Sequence, residues 1–256
     1  MALVRSTVAR GVAQVTLDSP DNRNALSSRL QEELVDALGA ANADDAVRVI
    51  VLDHTGPVFC SGADLKETAA AVASGEMPIS RLGEVLELIW EGPKPVVAKI
   101  GGPARAGGLG LVAACDLSVC TTTATFAFTE VRLGVIPAVI SATVLPRLTP
   151  RAAAELYLTG SLFDGARAAE VGLVTAAVPA EALDATVDGY VDALVRGAPG
   201  ALAGTKRLLH RQKADTFGED IATLTELSVR YFGSPEGVEG VLAFREKRDP
   251  TWVPER

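Results

Sequence analysis

The stretch Pro95-Val-Val-Ala-Lys-Ile-Gly-Gly-Pro-Ala-Arg-Ala-Gly-Gly-Leu-Gly-Leu-Val-Ala-Ala-Cys-Asp116 sets a β-branched apolar run ahead of a glycine-rich bend and a second apolar run. Pro95–Ile100 is read as a strand buried on both faces, because such strands lack the polar alternation of half-exposed ones. The segment Ala104-Arg-Ala-Gly-Gly-Leu-Gly-Leu111 then opens a helix read over Gly108–Ala114. Paired glycines let a ligand approach the backbone closely, and a helix N-terminus offers unpaired N–H groups whose dipole favours developing negative charge. Close helix packing is the other use of the same glycines.

Toward the N-terminus, Gly11–Leu17 is a short β-type run ending in the turn Asp18-Ser-Pro-Asp21. Ser27–Ala41 carries Leu30, Leu34 and Leu38 at the spacing of an amphipathic helix. A strand follows at Val47–Asp53, then a helix over Pro78–Glu91 with Ile79, Leu82, Leu86 and Ile89 on one stripe. Strands alternating with helices predict parallel pairing through helical crossovers. Toward the C-terminus the chain gives strand-like Leu117–Val119 and Thr125–Phe128, then helical segments from Pro137. After Pro179 the segments Glu181–Gly197, Pro199–Lys213 and Phe217–Phe232 read as amphipathic helices without intervening strands, an appendage to one main α/β domain. No repeat of fixed period and no long linker divides the chain.

Composition narrows the function. The 256 residues are 48% hydrophobic, enough for a substantial core, and the formal charge of −8 leaves no broad cationic face for a nucleic-acid partner. Val96–Ile100 and Leu109–Cys115 fall short of the roughly 20 residues that span a bilayer, and Met1–Arg10 holds no signal-peptide core. A cytoplasmic protein without membrane partners is the expectation. Cys60, Cys115 and Cys120 form no CxxC pair and read as buried reduced thiols, and no metal site is expected. His54 and His210 have no neighbour at triad or metal-ligand spacing. Asp116, after an apolar helix, reads as holding the next turn by hydrogen bonds to the backbone.

Two further stretches carry chemistry. Val58-Phe-Cys-Ser-Gly-Ala-Asp-Leu-Lys66 follows a strand and sets Ser61, Gly62 and Ala63 in a tight turn before a helix, which exposes backbone N–H groups. Taken alone, the stretch reads first as an ordinary strand-to-helix connection with Asp64 near the helix start. In Ala124-Thr-Phe-Ala-Phe-Thr-Glu-Val-Arg-Leu-Gly134, continued strand alternation would put Phe126, Phe128 and Glu130 on one face. A carboxylate ending an apolar row has a raised pKa and serves as a proton carrier near neutral pH. Solvation of Glu130, or pairing with Arg132, is the alternative. Gly108-Leu-Gly-Leu-Val-Ala113 with Glu130 about 20 residues beyond also fits a dinucleotide fingerprint, although Gly108 lies too far from the strand end at Ile100 for the required tight turn.

In order, Asn24-Ala-Leu26, Cys60–Lys66, Ala106–Asp116, Phe126–Pro137, Ala168-Ala-Glu-Val-Gly-Leu-Val174 and Glu239–Arg248 resemble the enoyl-CoA hydratase/isomerase (crotonase) family over essentially the whole chain. The resemblance implies an α/β spiral of repeated ββα units over residues 1–180. It also implies a helical C-terminal region, residues 181–256, used to pack trimers that pair into hexamers. The implied ligand is an acyl-CoA thioester, with no separate cofactor. The backbone N–H groups of Ala63 and Gly107 would bind the thioester oxygen, and Glu130 would be the catalytic carboxylate. Arg23, Ala25, Ala63, Asp64, Leu65, Lys66, Gly107 and Gly110 would line the CoA and acyl site.

One departure matters. The familiar hydratases carry two glutamates, and Gly110 stands where the first would be. Gly107–Asp116 with Thr129–Ser141 is most similar to members hydrating branched enoyl-CoA, such as methylglutaconyl-CoA hydratases. Hydration of a 2-enoyl-CoA in fatty-acid-type metabolism is therefore the preferred reading. Double-bond isomerisation by a single glutamate and acyl-CoA binding without turnover are the alternatives.

Overall fold

The computed structural model describes residues 2–74, 80–211 and 216–254. Strands β1 (Val4–Ala9) and β2 (Val12–Leu17) form an antiparallel hairpin, and β2 pairs in parallel with β3 (Val49–His54) after helix α1 (Ser28–Ala43). Helices α2 (Leu65–Ser74) and α3 (Leu82–Trp90) lead to β4 (Val96–Ile100), which joins β3 in parallel. The short β5 (Ala104–Arg105) precedes helix α4 (Gly107–Ala114), and β6 (Leu117–Thr121) then adds to β4. Next come β7 (Thr125–Ala127), α5 (Ala138–Val144), α6 (Pro150–Thr159), β8 (Phe163–Asp164), α7 (Gly165–Glu170) and β9 (Ala176–Val178). The main sheet runs β1-β2-β3-β4-β6-β9, and β5-β7-β8 form a smaller sheet beside it.

The apolar runs in the centre of the sheet have a simple cause. Ile50 and Leu52 on β3, Val96, Ala98 and Ile100 on β4, and Cys120 on β6 face the main core with α1, α3 and α4. Their neighbours Val49, Val51, Val97 and Val119 face a second core, closed by Leu183, Val187 and Val191 of α8 (Leu183–Val195). Residues four apart on a helix share a face, so one stripe of α8 covers the sheet's other side. The boundary near residue 180 thus marks where strands stop, while packing onto the sheet continues through α8. Helices α9 (Pro199–His210), α10 (Phe217–Phe232) and α11 (Pro235–Glu246) complete the C-terminal region.

Local signals explain the helix starts. The Ser27 side chain accepts from Leu30 N at the head of α1, and Thr216 with Glu219 forms a capping box on α10. The expected helix start at Pro78 and its residue Ile79 lie outside the described residues, as do Gln212 and Lys213 of the segment Pro199–Lys213. Helix α4 begins at Gly107, one residue before the expected Gly108.

Asp116 acts differently from its sequence reading. It reaches across to β4, accepting from Val96 N at 2.7 Å, and receives the ammonium of Lys206 at 2.8 Å. Lys206 Nζ also donates to Ile89 O at 2.6 Å and Lys94 O at 3.0 Å. With only 4% of Lys206 exposed, these three acceptors match the three donors of the buried ammonium and fasten α9 to the core.

Candidate active site

The loop before α2 is built by hydrogen bonds on both sides. Cys60 N donates to Pro103 O at 3.3 Å and Cys60 O accepts from Arg105 N at 3.0 Å, while Leu26 N donates to Gly62 O at 2.8 Å. Gly62 adopts φ +87°, and a β-carbon there would meet Ala106 Cβ at 2.9 Å and come within 3.5 Å of Gly107 N. The Ala63 loop and the start of α4 therefore touch at Gly62, where only glycine fits. Gly108 is also held close, since its β-carbon would lie 2.8 Å from the Cys60 carbonyl oxygen. Ala106, just before α4, takes φ 47° and ψ −118°, a conformation L-residues rarely adopt. Among the described residues, no protein acceptor takes a hydrogen bond from the Ala63 or Gly107 amide.

Around this loop, Asp64 caps α2, its Oδ1 accepting from Lys66 N at 2.9 Å and Glu67 N at 3.2 Å, and its Oδ2 from Asn22 Nδ2 at 2.7 Å. Ser61 N donates to Arg23 O at 3.1 Å, so the Arg23 turn and the Ala63 loop form one unit. Asn24, fully buried, locks that turn by accepting from Ser19 N and donating to Thr55 O and Val58 O. Ala25 is buried behind it, whereas Arg23, Leu65 and Lys66 are exposed along the outer edge.

Glu130 departs from the strand reading. Strand β7 ends at Ala127, and Glu130 begins a 3-10 turn, Glu130–Leu133, so alternation from Phe126 does not fix its direction. Its carboxylate is nonetheless half-buried, and Oε2 is enclosed without a hydrogen-bond partner. Burial pushes its pKa up, only partly opposed by its own backbone N–H. Arg132 does not neutralise it, because its guanidinium donates to Thr159 O at 3.1 and 3.3 Å.

Tyr157 was absent from the sequence reading, and Ser141 and Ile140 entered it only within the stretch Thr129–Ser141. The Tyr157 ring packs on Phe128 with centroids 4.5 Å apart, and its hydroxyl lies 3.4 Å from Ser141 Oγ. Burial raises the pKa of this phenol, the Ser141 hydrogen bond lowers it, and the charge of Glu130 raises it further. Gly110 is buried in α4 under Ile140, whose Cγ2 would lie 2.5 Å from a β-carbon at that position.

Other candidates separate from this centre. The three cysteines are free and buried, and burial drives Cys60 and Cys120 up to about 12, which removes them as nucleophiles. His54 accepts from Gly101 N at 3.0 Å, and His210 stacks on Trp90 at 4.0 Å. Gly108 sits inside α4 with β5 intervening after β4, which overturns the dinucleotide alternative. Among the described residues no group of three or more His, Cys, Asp or Glu could hold a metal ion, and no helix is long and apolar enough to cross a membrane.

The family model described as enoyl-CoA hydratase/isomerase matches residues 7–255. The chain belongs to the enoyl-CoA hydratase/isomerase family. A Thermus thermophilus protein carrying an enoyl-CoA hydratase name is 36% identical over 246 residues, covering 93% of this chain and 96% of the relative. The crystal structure of a Mycobacterium smegmatis enoyl-CoA hydratase superposes with a TM-score of 0.88 at 33% identity, over 98% of each chain. Pseudomonas aeruginosa AtuE gives a TM-score of 0.89, also at 33% identity, over 98% of this chain and 99% of that one. The α/β architecture with its helical C-terminal region is thus the crotonase fold.

Proposed function

We propose that this member of the family is an enoyl-CoA hydratase, adding water across the double bond of a 2-enoyl-CoA, branched acyl groups included. The observation that carries the reading is the enclosed, unpartnered Oε2 of Glu130, since a buried carboxylate oxygen without a donor is costly unless a ligand supplies one.

The amides of Ala63 and Gly107 donate to the thioester oxygen in this reading. Charge builds on that oxygen as water attacks, and each aimed donor is worth about 100- to 1,000-fold in rate. Glu130 takes one proton from water as the oxygen bonds to C3, the π electrons move toward C2 and the thioester oxygen, and Glu130 returns that proton to C2. Its raised pKa suits both halves of the task. Arg23, Ala25, Asp64, Leu65, Lys66 and Gly110 border the CoA and acyl path in the same proposal, Asp64 through its cap on α2.

Isomerisation is the second reading, favoured by one observation. Ile140 fills the space over Gly110, so no second carboxylate reaches Glu130 from that position, as a one-base proton shuttle between C2 and C4 requires. A panel of 2-enoyl- and 3-enoyl-CoA thioesters, followed for loss of conjugation and for incorporation of solvent oxygen, separates the two. Solvent oxygen at C3 supports hydration. A shifted double bond without it makes the chain an isomerase, and CoA-dependent thermal stabilisation without turnover makes it a binder.

Self-association is part of the proposal. Val229 and Phe232 of α10 and Val238 and Phe244 of α11 are 60% or more exposed, a run of large apolar groups that a trimer, or a hexamer of two trimers, would cover.

A further inference from the structure

Helices α3 and α5 both pack on α4 and leave a groove between them. Gly83, Leu86 and Trp90, one stripe of α3, face Val139, Ala142 and Thr143 of α5 across about 460 Å³, a volume within the range of small-molecule pockets. The groove starts beside the N-terminal end of α4. Leu82, the residue before Gly83, puts its Cδ2 3.3 Å from the place of a β-carbon on Gly107, and Thr143 Oγ1 donates to Gly110 O one turn further along α4. A β-carbon on Gly83 itself would meet nothing within 4 Å, so the near end is open. From Gly83 to Trp90 the helix rises about 10 Å. At the far end the Trp90 ring is fixed by Arg147, 4.6 Å from its centroid, and by the stacked His210. Glu87 and Glu91, one turn apart, border this half, and among the described residues neither carboxylate pairs with a cation. The Arg147 guanidinium is committed elsewhere, donating to Ala113 O at 3.0 Å and Cys115 O at 3.2 Å.

We propose that this groove receives the acyl tail beyond C3 of the substrate, and that Glu87 and Glu91 select uncharged tails, straight or branched, over tails ending in a carboxylate. The inference rests on the acyl-CoA reading of the site above. With the thioester oxygen at the Ala63 and Gly107 amides, a tail running along α3 passes Leu82 and enters beside Gly83. Each methylene taken out of water against Leu86, Val139 and Trp90 tightens binding by about three- to fourfold. A carboxylate carried to the same place gives up hydration and meets two like charges. Both glutamates are exposed, so solvent screens them, and the selection they add is about three- to tenfold.

The test compares crotonyl-CoA, which has a single carbon beyond C3, with 2-octenoyl-CoA and with 2-octenedioyl-CoA, which adds a terminal carboxylate. Gly83→Phe fills the groove from a position with open space around it. The octenoyl-to-crotonyl ratio of kcat/KM should fall about 10- to 100-fold in this variant. In the double variant Glu87→Gln, Glu91→Gln the octenedioyl-to-octenoyl ratio should rise about three- to tenfold. A ratio within about twofold of wild type in Gly83→Phe would overturn the tail assignment, and the same result in the double variant would overturn the selection by charge. Binding is read separately from turnover. Trp252→Phe leaves Trp90 as the one tryptophan of the chain's two, and its emission should change more with octanoyl-CoA, which cannot be hydrated, than with acetyl-CoA. Equal responses to the two would overturn the tail assignment. A larger response to octanoyl-CoA in a protein that adds water to no enoyl-CoA would support the groove and overturn the hydration reading instead.

Discussion

Gly110 and Ile140 compete for one volume: a β-carbon on Gly110 would stand 2.5 Å from Ile140 Cγ2 and 3.0 Å from Ile140 Cβ. Helices α4 and α5 meet there, with Thr143 Oγ1 donating to Gly110 O at 3.2 Å. Introducing Gly110→Glu is expected to destabilise the fold by about 1–3 kcal/mol through overpacking. Most of that loss should return in the Gly110→Glu, Ile140→Gly double variant. Urea denaturation of the single and double variants measures the coupling, and additive losses would show that the two positions are independent.

Glu130 fixes a pH dependence. Its folded pKa is raised, so the ionised base is lost as pH falls through a value above the ordinary glutamate range. The acid limb of kcat/KM should lie correspondingly high. For stability the sign is opposite to the usual carboxylate. The folded state holds the proton more tightly than the unfolded chain, a contribution fully present below the unfolded pKa and lost as pH rises through the folded one. Glu130→Gln should therefore raise Tm near pH 8 by up to about 2 °C, with the difference vanishing in acid. A lower Tm for the variant at pH 8 would show that the charge is not strained.

Lys206→Met leaves Asp116 and two backbone carbonyls without the ammonium of a side chain that is only 4% exposed. A loss of about 3–5 kcal/mol is expected, as for breaking other buried charge pairs. Thermal and urea unfolding read it directly, and a change under about 1 kcal/mol would mean that water replaces the ammonium.

Ala106 and Gly62 both hold positive φ, and only Gly62 carries the residue that such a backbone favours. Ala106→Gly relieves a positive φ and should stabilise by about 1 kcal/mol. Gly62→Ala, at φ +87° and against Ala106 Cβ, should displace the Ala63 amide and lower kcat by about tenfold or more. Unaltered kcat in Gly62→Ala would separate that amide from catalysis.

Much of the fold was legible because burial is two-sided. The apolar runs at Val47–Asp53 and Pro95–Ile100 mark β3 and β4, and the leucine spacing from Leu30 to Leu38 marks α1. Strand β1 was missed because only Val4 in it is buried, which leaves no alternation to detect. The short strands β5 and β8, two residues each, carry no periodic signal at all. At the site, the glycine-rich bend and the acid after Phe126–Phe128 drew attention to Gly107 and Glu130, although the strand did not extend to Glu130. Tyr157 stayed invisible, and Ile140 and Ser141 entered only as the end of the stretch Thr129–Ser141 with no role of their own, because their surroundings are set only when α5 and α6 fold against the turn. Lys206 escaped for the same reason, as its acceptors lie on α3, the Lys94 loop and Asp116.

The most direct measurement is the transfer of oxygen-18 from labelled water into the 3-hydroxyacyl product of crotonyl-CoA, in wild type and in Glu130→Gln. Wild type should incorporate the label at C3, and the variant should lose about 100- to 10,000-fold of that rate while still binding CoA. Near-wild-type incorporation by Glu130→Gln would contradict a catalytic role for this carboxylate.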